Sequence, residues 1–240
     1  MEVLNSIKTK LGNTIELIGE PSENNILIVG VVHGDEPQGK YLIDKYIEKY
    51  SVNSTTSCIY SFTSASLIPR RCTDKRGDKS LLFIPCLNPD GMQLNIRTNA
   101  NNVDINRNFP TQNWGQNKGD NATCDDENSN YFGGKSPASE IETQFLIDTI
   151  KKYSPSLIVT LHTPYKIVNY DGPAKETAQM ISDIIKYPVE ESVGYPTPGS
   201  FGTWAGVERN IATITLEMDE KVPVAELQEP VHKIFDKLKF

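Results

Sequence analysis

"ILIVGVVHGDEPQG", residues 26–39, decides how the fold is read. Residues 26–32 are apolar and rich in valine and isoleucine, and they read as a buried strand. His33, Asp35 and Glu36 follow within four positions. Residues 37–50 then carry Tyr41, Leu42, Lys45, Tyr46 and Lys49 at helical spacing. The chain leaves the core through a polar turn and enters a helix. The turn has two readings. It is a solvated edge, or His33 and Glu36 hold something that needs one imidazole and one carboxylate at a fixed spacing.

The same rhythm recurs downstream. Residues 81–87 read as a second strand, ended by the turn Asn88-Pro89-Asp90-Gly91. Ser136-Pro137 reads as a cap and first helical position, opening a helix to about residue 152. A third strand spans 157–161, a helix 174–186, a fourth strand 211–216 and a closing helix 223–238. Strands separated by helices predict an α/β fold. The expectation is one domain over 1–240, with a mixed, mostly parallel central sheet and helices on both faces. Two regions break the rhythm. Residues 51–80 contain Ile59-Tyr60-Ser61-Phe62, a candidate extra strand, and then the basic stretch 70–76, read as a solvated loop. Residues 111–135 are rich in Asn, Asp and Gly and read as a long surface loop.

With 240 residues the chain needs no disulfide staples to bury a core. Its 31 acidic against 24 basic residues, a net charge of −7, argue against nucleic acid as a partner. No stretch approaches the roughly 20 apolar residues of a membrane span. The opening residues lack the basic-then-apolar pattern of a signal peptide, the expectation for a cytoplasmic protein. The four cysteines form no C-x-x-C pair. Cys86 lies in an apolar run and reads as a core thiol, while Cys58 and Cys72 are the two that a loop would bring together under oxidising conditions.

In open α/β sheets, ligands bind beyond the carboxyl ends of the strands. There the first strand delivers His33 and Glu36, and the third His162. The second leads towards Arg97 and the pair Asn106-Arg107, and the fourth delivers Glu217. Two imidazoles and one carboxylate suit a catalytic zinc with a fourth position for water. A carboxylate beside that water is placed to act as general base, and Glu217 stands alone after its strand. Each residue taken singly has a plainer reading: a core histidine, an edge carboxylate, a surface arginine. Only three histidines exist. The third, His232, lies in the terminal helix and is expected at the surface.

Assembled in this order, the residues resemble the zinc metallocarboxypeptidases, the carboxypeptidase A-like enzymes. That family runs through a His-x-x-Glu ligand pair, an arginine, an Asn-Arg pair, a second histidine ligand, a tyrosine and a glutamate. These match His33 and Glu36, Arg97, Asn106 and Arg107, His162, Tyr195 and Glu217, with Glu217 lying 22 positions after Tyr195. "NPDGMQLNIRTNANNVDINRNFP" (88–110) and "SVGYPTPGSFGTW" (192–204) look like the bacterial murein peptide amidases of the family.

The resemblance implies one zinc ion and a small peptide substrate, with cleavage between γ-D-glutamate and meso-diaminopimelate in cell-wall peptides recycled through the cytoplasm. It implies that Arg97 stabilises the oxyanion, that Asn106 and Arg107 hold a substrate carboxylate, and that Tyr195 closes over the peptide. It also implies that Asp104 hydrogen-bonds a ligand histidine, fixing its tautomer. The chain departs from the subgroup at 51–80 and 111–135. Within the second stretch, Asp120, Asp125, Asp126 and Glu127 are candidates to read the far amine of diaminopimelate. Two rivals stay open: a zinc deacylase of the aspartoacylase type, and a catalytically silent peptide-binding domain.

Overall fold

The computed structural model describes residues 1–56, 79–115, 129–191 and 197–240, with side chains described only to residue 50 in the first of these segments. Their strands are β1 (Glu2–Lys8), β2 (Thr14–Gly19), β3 (Asn25–Gly30), β4 (Ser80–Ile84), β5 (Leu157–His162), β6 (Ile167–Asp171), β7 (Val189–Glu190) and β8 (Ala212–Glu217). They form one sheet in the order β1-β2-β4-β3-β5-β8-β6-β7. The centre, β4-β3-β5-β8, is parallel. Antiparallel pairing enters at β1–β2, β2–β4 and β6–β8. The sheet is therefore mixed, as expected.

Successive side chains of a strand point to opposite faces, and the central strands are apolar on both. Ile26 and Ile28 join the cluster packed by α1 (Gln38–Thr56), α4 (Lys175–Ile185) and α5 (Val224–Leu238). Leu27 and Val29 join the opposite cluster, where Phe145, Leu146 and Ile150 of α3 (Ile141–Tyr153) lie. Helices thus cover both faces, which is what a parallel centre requires.

One element goes unread in the sequence and three local expectations need correction. The hairpin β1–β2 has no counterpart in the sequence reading, because β1 is mostly exposed and carries no apolar run. The segment Asn88-Pro89-Asp90-Gly91 opens a short helix, α2 (Pro89–Leu94), and is not a strand-ending turn. The Asn88 side chain caps that helix by accepting from Gly91 N. Ser136-Pro137 does not start α3, which begins at Ile141. The buried Asn108 holds this stretch instead, donating to Gly133 O at 2.8 Å and Ser139 Oγ at 3.0 Å and accepting from Glu140 N at 3.2 Å. Tertiary bonds override the local cap. His232 is buried, not a surface residue: its Nε2 bonds Leu42 O at 2.9 Å and its ring meets Tyr46 edge-on. Helix α5 turns that position towards α1.

Cys86 is a buried thiol, as expected, and burial pushes its pKa up to about 12. Cys58, Cys72, the candidate strand at 59–62 and the basic stretch 70–76 lie outside the described residues. Of 111–135, only 111–115 and 129–135 are described, and there Phe132 is buried rather than at the surface. No helix among the described residues is long and apolar enough to cross a membrane.

Candidate active site

Three neighbouring parallel strands end at one rim. The register pairs Gly30 of β3 with Leu161 of β5, and His162 of β5 with Glu217 of β8. Beyond β3 the chain turns sharply at Val31, a β-branched residue held at φ 51°. It then passes so close to α2 that a Cβ on Gly34 would lie 2.0 Å from Gly91 C. Only glycine fits between His33 and Asp35. The buried Asn88 ties this turn to the next segment, donating to Val32 O at 3.3 Å and Arg97 O at 3.4 Å.

The result is a buried trio. His33 Nδ1 lies 2.7 Å from Glu36 Oε1, and His162 Nδ1 lies 2.9 Å from Glu36 Oε2. The two Nδ1 atoms stand 3.3 Å apart. One ligand atom from each residue falls within 4.8 Å of the others. Both imidazoles turn the same nitrogen towards one carboxylate, and all three residues are under 9% exposed. This donor set fits a divalent cation of the zinc type, which takes histidine nitrogen and carboxylate oxygen.

The surrounding charges are arranged around that trio. His33 Nε2 lies 3.3 Å from Asp104 Oδ1, an ion-pair contact between the two buried side chains. Burial works against charge on His33, yet the carboxylates of Glu36 and Asp104 together outweigh it, and the pKa rises to about 8. Burial also opposes ionisation of Glu36 and Asp104. The two histidines hold Glu36 well below the usual carboxylate range, and Arg97, with His33, does the same for Asp104. Arg97 commits Nε and Nη2 to Asp104, at 3.1 and 3.0 Å. Its Nη1 reaches the trio, 3.3 Å from His33 Nδ1. Glu217 is buried beside His162, and its Oε2 has no hydrogen-bond partner among the described residues. Burial, reinforced by the charge of Glu36, pushes its carboxyl pKa up.

His33, Glu36, Arg97 and Glu217 line a cleft of about 400 Å³, together with Asn106 and Arg107. Both lie on a single 3₁₀ turn, Ile105–Arg107, capped by Asp104, whose Oδ1 accepts from Asn106 N at 2.8 Å. Asn106 Oδ1 accepts from Phe201 N at 2.8 Å, which leaves its amide NH₂ for a ligand. Arg107 is 2% exposed and its Nε is unpartnered among the described residues. Tyr195 and the acidic residues Asp120, Asp125, Asp126 and Glu127 lie outside the described residues.

Tyr131 and Asp171 are among the cleft residues that the sequence reading does not pick out. Tyr131 presents its ring to both arginines. Asp171 ends β6, on the face that carries Asn169 and Ile167 opposite Thr215 and Glu217. It makes no hydrogen bond or ion pair among the described residues, and burial pushes its pKa up. Gly202 makes room for it: a Cβ there would lie 2.2 Å from Asp171 Oδ2. Alternation in Ile167-Val168-Asn169-Tyr170-Asp171 hints at a strand, but nothing local says which strand it joins.

Comparison with known proteins agrees with this geometry. The chain is 38% identical over 135 residues to murein peptide amidase A of Escherichia coli (strain K12) and over 137 residues to that of Vibrio campbellii. The first alignment spans 55% of this chain and 55% of the relative, so the match covers about half the length of each. The crystal structure of murein-tripeptide amidase MpaA from Escherichia coli O157 superposes with a TM-score of 0.71, covering 97% of this chain and 89% of that one at 27% identity. Bovine thrombin-activatable fibrinolysis inhibitor shares the fold, with a TM-score of 0.72 over 99% of this chain and 90% of its own at 16% identity. A family model described as zinc carboxypeptidase matches residues 6–234, and the chain therefore belongs to the zinc carboxypeptidase family.

Proposed function

We propose that this protein is a zinc-dependent amide hydrolase. Its substrate is a murein peptide inside the cell, cut between γ-D-glutamate and meso-diaminopimelate. The observation that carries the reading is a cleft at which His33, Glu36 and His162 converge beside the buried carboxylate of Glu217, one oxygen of which has no partner among the described residues. The resemblance to amidases acting on murein peptides supports the substrate class.

His33, Glu36 and His162 would hold the zinc, which when bound supplies a Lewis acid and makes water acidic enough to ionise near neutrality. The remaining steps belong to side chains of this protein. Glu217 Oε2 accepts a proton from the attacking water; its raised pKa makes it a stronger base than an exposed carboxylate. Arg97 Nη1 donates to the oxyanion that forms as water adds to the carbonyl carbon. Glu217 then returns the proton to the departing nitrogen as the C–N bond breaks. Arg107 and the Asn106 amide hold the carboxylate of the leaving residue, a task suited to the planar guanidinium.

Asp171 supports a diamino acid as that leaving residue. It lies four positions along the β6–β8 register from the level of Glu217, roughly 13 Å at strand spacing. A long side chain reaches that depth with its ammonium, which meets a carboxylate that has no protein partner among the described residues.

The test is a mass-spectrometric digest of L-Ala-γ-D-Glu-meso-diaminopimelate with the zinc-loaded protein. Free diaminopimelate and L-Ala-γ-D-Glu are expected, with turnover lost to a chelator and restored by zinc. An intact tripeptide after prolonged incubation refutes the substrate. Hydrolysis of N-acyl amino acids in its place identifies a deacylase.

A further inference from the structure

We infer that Tyr131 is a positioning residue that holds the two cleft arginines, Arg97 and Arg107, against one aromatic ring. The guanidinium carbon of Arg97 lies 5.2 Å from the ring centroid and that of Arg107 lies 5.6 Å from it. The two cations therefore sit within about 11 Å of each other in the wall of the cleft, where like charges repel with little water to screen them. The negative face of an aromatic ring attracts both.

The two arginines depend on that ring to different degrees. Arg97 is already tied to Asp104 through two nitrogens. Arg107 has no ion pair among the described residues. Its Nη1 donates to Asn106 O at 2.7 Å, and its Nε has no partner among the described residues. The ring and that one hydrogen bond are the restraints on where the Arg107 guanidinium points.

The ring is itself anchored to the segment that bears Arg107. Tyr131 N donates to Ser129 Oγ at 3.1 Å. Next to it, Phe132 O accepts from Asp104 N at 2.8 Å, and Gly133 O accepts from Asn108 Nδ2 at 2.8 Å and Trp114 Nε1 at 3.2 Å. These bonds fix the backbone beside the ring to the segment that bears Arg107. A substrate that places a carboxylate on Arg107 and its scissile carbonyl near Arg97 needs both guanidiniums at a fixed spacing, and Tyr131 sets it.

Only the kinetic arm of the test rests on the amide-hydrolase reading. Compare kcat/KM for L-Ala-γ-D-Glu-meso-diaminopimelate with that for the analogue whose carboxylate next to the scissile bond is amidated. Tyr131→Leu is expected to cut the preference for the free carboxylate by roughly tenfold, chiefly through KM, and Tyr131→Phe, which keeps the ring, to rescue it. The second arm is spectroscopic. The Nε–H proton resonances of Arg97 and Arg107 are expected further upfield in the parent and in Tyr131→Phe than in Tyr131→Leu, which lacks the ring. Unmoved arginine resonances in Tyr131→Leu, or an unchanged carboxylate preference, overturn the inference. If the parent cleaves neither peptide, the substrate reading fails and the arginine resonances alone decide the role of Tyr131.

Discussion

Replacing Glu142 by glutamine should stabilise this protein, and only above about pH 5. Glu142 stands in the first turn of α3, 2% exposed. It shares one Asn99 amide with Glu140: Nδ2 lies 2.7 Å from Glu140 Oε2 and 3.2 Å from Glu142 Oε2. Burial raises its pKa from 4.5 to about 6, and the Glu140 charge adds to that; a helix N-terminal N–H and Asn99 pull the other way without prevailing. A carboxyl with a raised folded pKa binds its proton more tightly in the folded state. Its ionisation therefore costs stability, and the loss develops as pH rises from 4.5 through 6. A shift of that size corresponds to about 2 kcal/mol at pH 7 and above, and to nothing well below pH 4.5. Glutamine keeps an oxygen to accept from Asn99 and carries no charge at any pH. For a domain this large the gain is about 4–8 °C in Tm. Thermal unfolding of parent and Glu142→Gln, followed by circular dichroism from pH 4 to pH 8 at equal metal loading, measures it. A difference that does not grow with pH, or a variant less stable at pH 7, refutes the argument.

Glu217→Gln should retain zinc, measured by elemental analysis, while kcat falls by roughly 10²–10⁴, the range for loss of a general base; normal turnover removes Glu217 from that role. His162→Ala takes away one of three converging donors and should purify with well under one zinc per chain, so full occupancy excludes it as a ligand. Asp171→Asn should raise KM roughly tenfold for a tripeptide ending in diaminopimelate yet leave one ending in norleucine unaffected, because only the former presents an ammonium. Equal effects on both peptides would mean that Asp171 only supports the wall.

Much of this was legible in the chain because it is written in local pattern. The strands over 26–32, 157–161 and 211–216 are apolar runs that only a sheet interior accommodates, and they fall within a residue or two of β3, β5 and β8. The His33–Glu36 spacing, and a histidine and a glutamate closing two other strands, proposed one rim before any coordinates did. What failed was decided at a distance. Ser136-Pro137 has the chemistry of a helix start, but Asn108, 28 positions away, binds its carbonyl. The polar strand β1 gains its place only by pairing with β2. His232 is polar, and only the docking of α5 on α1 buries it.

From the sequence alone came the α/β class, the parallel centre and the candidate set of two imidazoles and two carboxylates. Those follow from side-chain periodicity and from residue types at strand ends, both properties of neighbouring positions. Tertiary structure alone could show that the Nδ1 atoms of His33 and His162 meet at 3.3 Å, that the Asp171 side chain has no partner among the described residues, and that Tyr131 faces two arginines. Each joins residues dozens of positions apart, and their distance depends on strand order and register, which the pairing of the whole sheet settles.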